Sequence, residues 1–271
     1  MGARISPGFT IIETMLFLAV TGLLVMGVLI GTGSALNRQR YTDSVETFKN
    51  LVQTQYAELG SVKNSRSNTW SCDASALPAT GGAEIRGQSG CLIVGKYMRI
   101  DKGDITIYTV LARKTGTTPD LTDIQTMDTN YTYNVSQDSA ENRKMEWGTQ
   151  IAYASTGIDA KSPTSPRALG ILFIRSPESG SIYTFTSSTV PAKIAINSAT
   201  FKSIINESTN TFPGQGARTI CVQSSGLFPT SDMAVAINQS AANSSAVEIQ
   251  STDFMQTPEY TSSHGGIGTK C

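Results

Sequence analysis

From Thr14 to Asn37 the chain reads TMLFLAVTGLLVMGVLIGTGSALN, 24 residues without a charged side chain. As an α-helix this run would be about 36 Å long, enough to cross a hydrocarbon core of roughly 30 Å. Apolar residues are only 39% of the whole and the mean hydropathy is -0.11, so a multi-span membrane protein is excluded and one crossing remains. A secretory signal would place its cleavage site after the apolar part. Here the order is inverted. The polar leader MGARISPG, residues 1–8, carries Arg4 and ends in Pro7-Gly8, and the apolar run follows it. Processing between Gly8 and Phe9 would leave the apolar helix on the product.

Glu13 stands at the front edge of this region and needs a reason. Thr10-Ile11-Ile12-Glu13 fits the S/T-x-x-E capping box, and a carboxylate in a first turn gains about 0.3–1 kcal/mol from the helix dipole. Capping alone accounts for its position. A second reading starts from the cost of a charge in a membrane, about 2.5–3.5 kcal/mol at mid-depth, which a positive partner offsets. A free amino group on Phe9 of a neighbouring chain would be such a partner.

Gly8-Phe9-Thr10, then Glu13, then a long uncharged helix resembles the class III signal of type IV pilins and type II secretion pseudopilins. The resemblance covers about the first 60 residues. It implies cleavage between Gly8 and Phe9 by a prepilin peptidase, N-methylation of Phe9, and pairing of Glu13 with the amino terminus of an adjacent subunit. Thr10 and Glu13 would then belong to the assembly site. Many relatives of the type IVa kind carry a proline within the helix, and this chain has Gly22, Gly27, Gly31 and Gly33 instead. Each costs up to about 1 kcal/mol relative to Ala, which makes Gly27 to Gly33 the weakest stretch. Two roles compete for it: close packing of neighbouring helices through small residues, or local extension when subunits stack.

Past Asn37, Tyr41, Val45, Phe48, Val52, Tyr56 and Leu59 recur at steps of three and four, with Arg38, Arg40, Asp43, Glu46, Lys49 and Glu58 on the other faces. One helix over 9–59 is expected, ended by Gly60, with 9–37 apolar and 38–59 lying against a globular head. From residue 60 Gly, Ser, Thr and Asn dominate. Short β-type runs predict an antiparallel domain over 60–271, with strands at 91–100, 105–112, 131–135, 151–154, 169–175, 181–187, 193–197, 219–223 and 247–250. ALGILFIR and SIYTFTSS, joined by SPESG, read as a hairpin. The expected architecture is α+β and pilin-like.

Cys72, Cys91, Cys221 and Cys271 all follow the apolar helix, none at CxxC spacing, and four cysteines permit three pairings. The expected pairing joins Cys72 to Cys91 and Cys221 to Cys271. Pilins commonly close their C-terminal region with a disulfide, so the resemblance favours the second pair. Orientation does not follow from basic residues, because Arg4 on one side faces Arg38, Arg40 and Lys49 on the other.

Chemistry is thin elsewhere. A single histidine, His264, removes two-histidine metal sites and most histidine relays, and balance at 21 basic and 21 acidic residues removes a broad basic field. Gly265-Gly266-Ile267-Gly268 lacks the flanks of a phosphate loop. Asp120, Asp123 and Asp128 lack EF-hand spacing and read as solvated loop acids. Arg143, Lys144, Lys161 and Arg167 form a candidate basic patch for nucleic acid, with no further support. Neither cofactor nor catalysis is expected. The partners expected are further copies of the chain in a helical filament, the membrane beforehand, the peptidase, and an assembly platform with minor pilins. A minor pilin or pseudopilin is the alternative within the family; RTICVQSSGLF faintly resembles a strand and turn of H-type pseudopilins. A membrane-tethered binding module is the alternative outside it.

Overall fold

The computed structural model describes residues 10–60, 70–80, 90–157, 160–165, 167–188, 190, 196–211, 218–224, 226, 232–238, 241–263 and 268–271. One helix, α1 (Ile11–Gly60), runs unbroken from the apolar region into the head. Its second half buries Tyr41, Ser44, Val45, Phe48, Val52, Gln55 and Tyr56, the striped face expected from the spacing, with Leu51 and Leu59 packed beside it. Each large apolar side chain so buried stabilises the fold by roughly 1.5–3 kcal/mol.

Two antiparallel sheets receive this face. A five-stranded sheet is built from β3 (Leu92–Asp101), β4 (Asp104–Lys114), β5 (Tyr131–Lys144), β7 (Ala168–Arg175) and β8 (Ile182–Ser187), in the order β5-β4-β3-β7-β8. A four-stranded sheet has the order β11-β10-β9-β6, from β6 (Gln150–Ala152), β9 (Arg218–Gln223), β10 (Met233–Ile237) and β11 (Val247–Ser251). The short strands β1 (Trp70–Cys72) and β2 (Pro78–Thr80) pair with each other.

The principal core lies where α1 meets both sheets: Tyr41, Phe48 and Tyr56 pack with Ile100, Ile107 and Phe173 of the first sheet and with Ile220, Val222 and Val235 of the second. The rings of Tyr56 and Phe173 meet edge to face at 4.9 Å. The five-stranded sheet is covered on its other face too, where Tyr97, Tyr108, Tyr133, Leu172 and Ile174 pack under α2 (Asp123–Asn130) and α3 (Ser198–Thr211) through Met127, Phe201, Ile204 and Ile205. Burial on both faces explains why ALGILFIR is apolar almost throughout instead of alternating. It turns into β8 through Ser176–Ser181, closed by the Ser176 N–H donating to the Ser181 carbonyl at 2.8 Å.

Several expected elements are corrected. Residues 123–130 and 198–211 are helices, read from the sequence as part of a β domain. Asn197 makes only an isolated bridge to Asn134 and accepts from the Thr200 N–H at the start of α3, while the rest of the expected strand at 193–197 lies largely outside the described residues. Met233–Ile237, the central pairing partner of both β9 and β11, was not expected at all. Arg167 is fully buried, its Nη1 donating to the Ala152 and Thr219 carbonyls at 3.1 Å and its guanidinium 4.8 Å from the Tyr153 ring. Lys144 pairs with Asp104 at 3.3 Å and Arg143 with Glu141. Of the four residues of the expected basic patch, Arg167 is thus withdrawn into the core, and Lys161 lies over the Tyr153 ring at 4.9 Å.

Candidate functional site

Every residue from Ile11 to Leu36 is exposed except the partly covered Thr21. Ile11, Ile12, Phe17, Leu18, Leu23 and Leu29 each present between 65 and 78% of their surface, and no described residue of the head covers them. Monomeric soluble proteins rarely present an apolar patch beyond a few hundred Å². The helix is long and apolar enough to cross a membrane.

At its start the Glu13 N–H donates to Thr10 Oγ1 at 3.3 Å, the N-cap arm of the expected box, and the Thr14 N–H donates to the Thr10 carbonyl at 3.1 Å. Gly8 and Phe9, the expected cleavage junction, lie outside the described residues. Gly27, Gly31 and Gly33 stay helical, and a methyl group added at any of them would meet nothing within 4 Å beyond the neighbouring residues and the helix's own backbone. Thr32 Oγ1 donates back to the Val28 and Leu29 carbonyls at 3.0 and 3.1 Å, which ties this stretch to itself.

The helix enters the head at Tyr41. Its hydroxyl donates to the Val222 carbonyl and accepts from the Met233 N–H, both at 2.8 Å, and so clamps β9 and β10 to α1. Burial pushes the Tyr41 hydroxyl up to about 12, against the lowering effect of the Met233 bond. Burial likewise raises Tyr56, bonded to Thr184, to about 12. Ser44 and Thr149 share a hydroxyl bond of 2.5 Å. Beside them Trp147, between Glu146 and Gly148, holds a left-handed backbone (φ 56°), and the Arg40 guanidinium lies 4.7 Å from its ring centre.

Disulfides join Cys72 to Cys91, across 19 positions, and Cys221 to Cys271, across 50. The second ties the last residue to β9, helped by the Ser155 N–H donating to the Lys270 carbonyl at 2.7 Å.

Among the described residues, polar groups line an open cleft of about 480 Å³, with Lys114, Asp120, Asp123, Asn130 and Glu178 in its wall. Asp123 opens α2 and is not a solvated loop acid. Burial disfavours its charge, but Ser176 and Ser179 hydroxyls at 2.6 Å and the Tyr183 hydroxyl at 2.8 Å donate to it and hold its carboxyl below the ordinary range. Glu178 is lowered by bonds from Lys114 at 2.7 Å and Tyr131 at 2.9 Å. These acids are already matched within the chain. Among the described residues no group of three or more His, Cys, Asp and Glu is placed to hold a metal ion.

The arrangement therefore offers one feature for function, an apolar rod of helix firmly rooted in a cross-linked head. Its exposed half and its stripe are legible in the sequence. The Tyr41 clamp was visible only as one member of the stripe, and nothing in Glu-Trp-Gly announces a left-handed tryptophan. Comparison with known families, with curated proteins and with solved structures returns no match in any of the three.

Proposed function

We propose that the chain is a structural subunit of a surface filament of the type IV pilin and pseudopilin kind. It is held in the membrane by Thr14–Asn37 as a precursor with its head outside the cytoplasm. A prepilin peptidase trims it between Gly8 and Phe9, and an assembly platform then packs its apolar half among sister helices. The observation that carries this reading is the contrast within α1, whose first half is apolar and exposed while its second half is fixed in the head. In water such a surface is strongly unfavourable, and lipid or a bundle of identical helices are the environments that suit it. Subunits joined head to tail without ring closure form an open helical fibre.

Glu13 is the only charged residue from Thr10 to Asn37. Inside a bundle its carboxylate would lose water at a cost of several kcal/mol unless an opposite charge met it. The Phe9 amine created by trimming, on the adjacent subunit, supplies that charge.

The Glu13→Ala variant tests the reading. It should remain in the membrane at normal level and yield no sheared filaments. Undiminished filaments would remove the assembly role and favour a helix that serves only as a tether. In wild type, the abundance of the chain in sheared material separates a major subunit from a minor pilin or secretion pseudopilin.

A further inference from the structure

Trp147 is the most exposed large apolar side chain of the head among the described residues, at 51%, and it is held with φ 56° directly before Gly148 at φ 71°. A bulky side chain rarely adopts this backbone, and outliers of this sort collect at functional positions. A glycine at position 147 would relieve the backbone, and the fold instead keeps a large amphipathic ring there.

The location is specific. Ser44 and Thr149 bond across α1 beside it, and Arg40 lies over the ring at 4.7 Å, so Trp147 sits at the end of the head from which the apolar half of α1 emerges. The uncharged run ends at Asn37. Arg38 and Arg40 follow within about 2–5 Å along the helix axis, and the headgroup layer on each side of a bilayer is about 5–7 Å thick. Both arginines and the indole therefore fall at headgroup depth when the run spans the core. Exposed Lys102, in the turn between β3 and β4 that packs against Met145 and Thr149, adds a third cation at this end. Acids stand here too: Asp43 on α1, Glu146, which precedes Trp147 and takes a bond from Thr47 at 3.5 Å, and Asp101 and Asp104 flanking Lys102, paired with Arg99 and Lys144 at 3.3 Å. Tryptophan is enriched at membrane interfaces because its ring suits the apolar side and its N–H the wet side.

We infer that this rim, Trp147 with Arg38 and Arg40, is a seat for phospholipid headgroups that holds the head against the outer face of the membrane before assembly. The inference rests on the membrane-anchored precursor proposed above. The indole lies among glycerol and phosphate groups, the arginines bond phosphate oxygens, and departure into a filament breaks these contacts.

The test uses the full chain carrying Trp70→Phe, which leaves Trp147 as the one tryptophan, reconstituted into vesicles of phosphatidylcholine and phosphatidylglycerol. Where Trp70→Phe perturbs the fold, emission of Trp147→Phe subtracted from wild type gives the same signal. The protein should float with the vesicles, its Trp147 emission should shift to shorter wavelength, and lipids brominated near the headgroup should quench it more than lipids brominated at the chain ends. Flotation with emission of a water-exposed indole, freely quenched by iodide, overturns the seat and leaves the anchored precursor standing. Failure to float overturns the anchored precursor itself. Shielding that develops only in assembled filaments overturns the seat in favour of a contact between subunits.

Discussion

Residues 11–37 and 38–60 of α1 share one continuous backbone yet meet opposite surroundings, the first half bare and the second fixed between two sheets. Their hydrogen bonds are the same, so secondary structure does not separate them. Side-chain pattern does. Uniform apolarity with small residues suits an environment that is greasy on all sides, whereas a stripe bounded by charge suits one wet face and one core. The head's stability should therefore depend on the second half alone, and association on the first.

The largest effect expected is a clean division between the two. Leu24→Asp puts a charge in the middle of the bare half, at about 2.5–3.5 kcal/mol on insertion. It should abolish membrane retention and filaments, measured by cell fractionation and shearing, while the thermal midpoint of the detergent-solubilised head stays unchanged. A lowered midpoint would mean that the halves are not independent. In the second half, Phe48→Ala removes a buried ring from the main core and should cost about 3–5 kcal/mol in denaturant unfolding. A loss below about 1 kcal/mol would contradict docking through this face.

Tyr41→Phe leaves the Val222 carbonyl and the Met233 N–H without their shared partner and should cost about 1–3 kcal/mol. Its pH dependence sharpens the result. A folded-state value raised from 10.0 to about 12 means that the neutral hydroxyl is favoured in the fold. That contribution is complete below pH 10 and is lost as pH rises towards about 12. Alkaline unfolding of the variant should show a shallower fall across this window, and an identical slope would remove Tyr41 as a cause.

The smallest effect lies far from α1. Asp123, lowered in the fold, contributes stability that is present above its unfolded value, about 3.9, and lost as pH falls through the folded one. Asp123→Asn should flatten the acid limb of thermal stability and leave neutral-pH assembly intact.

Much of this division was readable from residue pattern, because both the uncharged run and the Tyr41-to-Leu59 stripe are long and regular. The paired sheets were less so. In α3, Phe201, Ile204 and Ile205 stand at helical spacing, but the Ser, Thr and Asn around them carry the same composition as the loops. In α2, the capping box from Thr122 to Gln125 was a start signal hidden among Thr and Asp. Met233–Ile237 reads MAVAI, with the poor strand former alanine at two of its five positions, and its place between two strands depends on partners distant in sequence. The Trp147 rim depends on a left-handed turn, a feature that arises only when α1, β5 and β6 are assembled around it.

The most direct measurement is the mass of the N-terminal peptide from protein sheared off cells, taken together with the sedimentation of that material. Pelleting fibres whose chains begin at an N-methylated Phe9 are the predicted result. A dispersed species that still carries residues 1–8 would contradict the account.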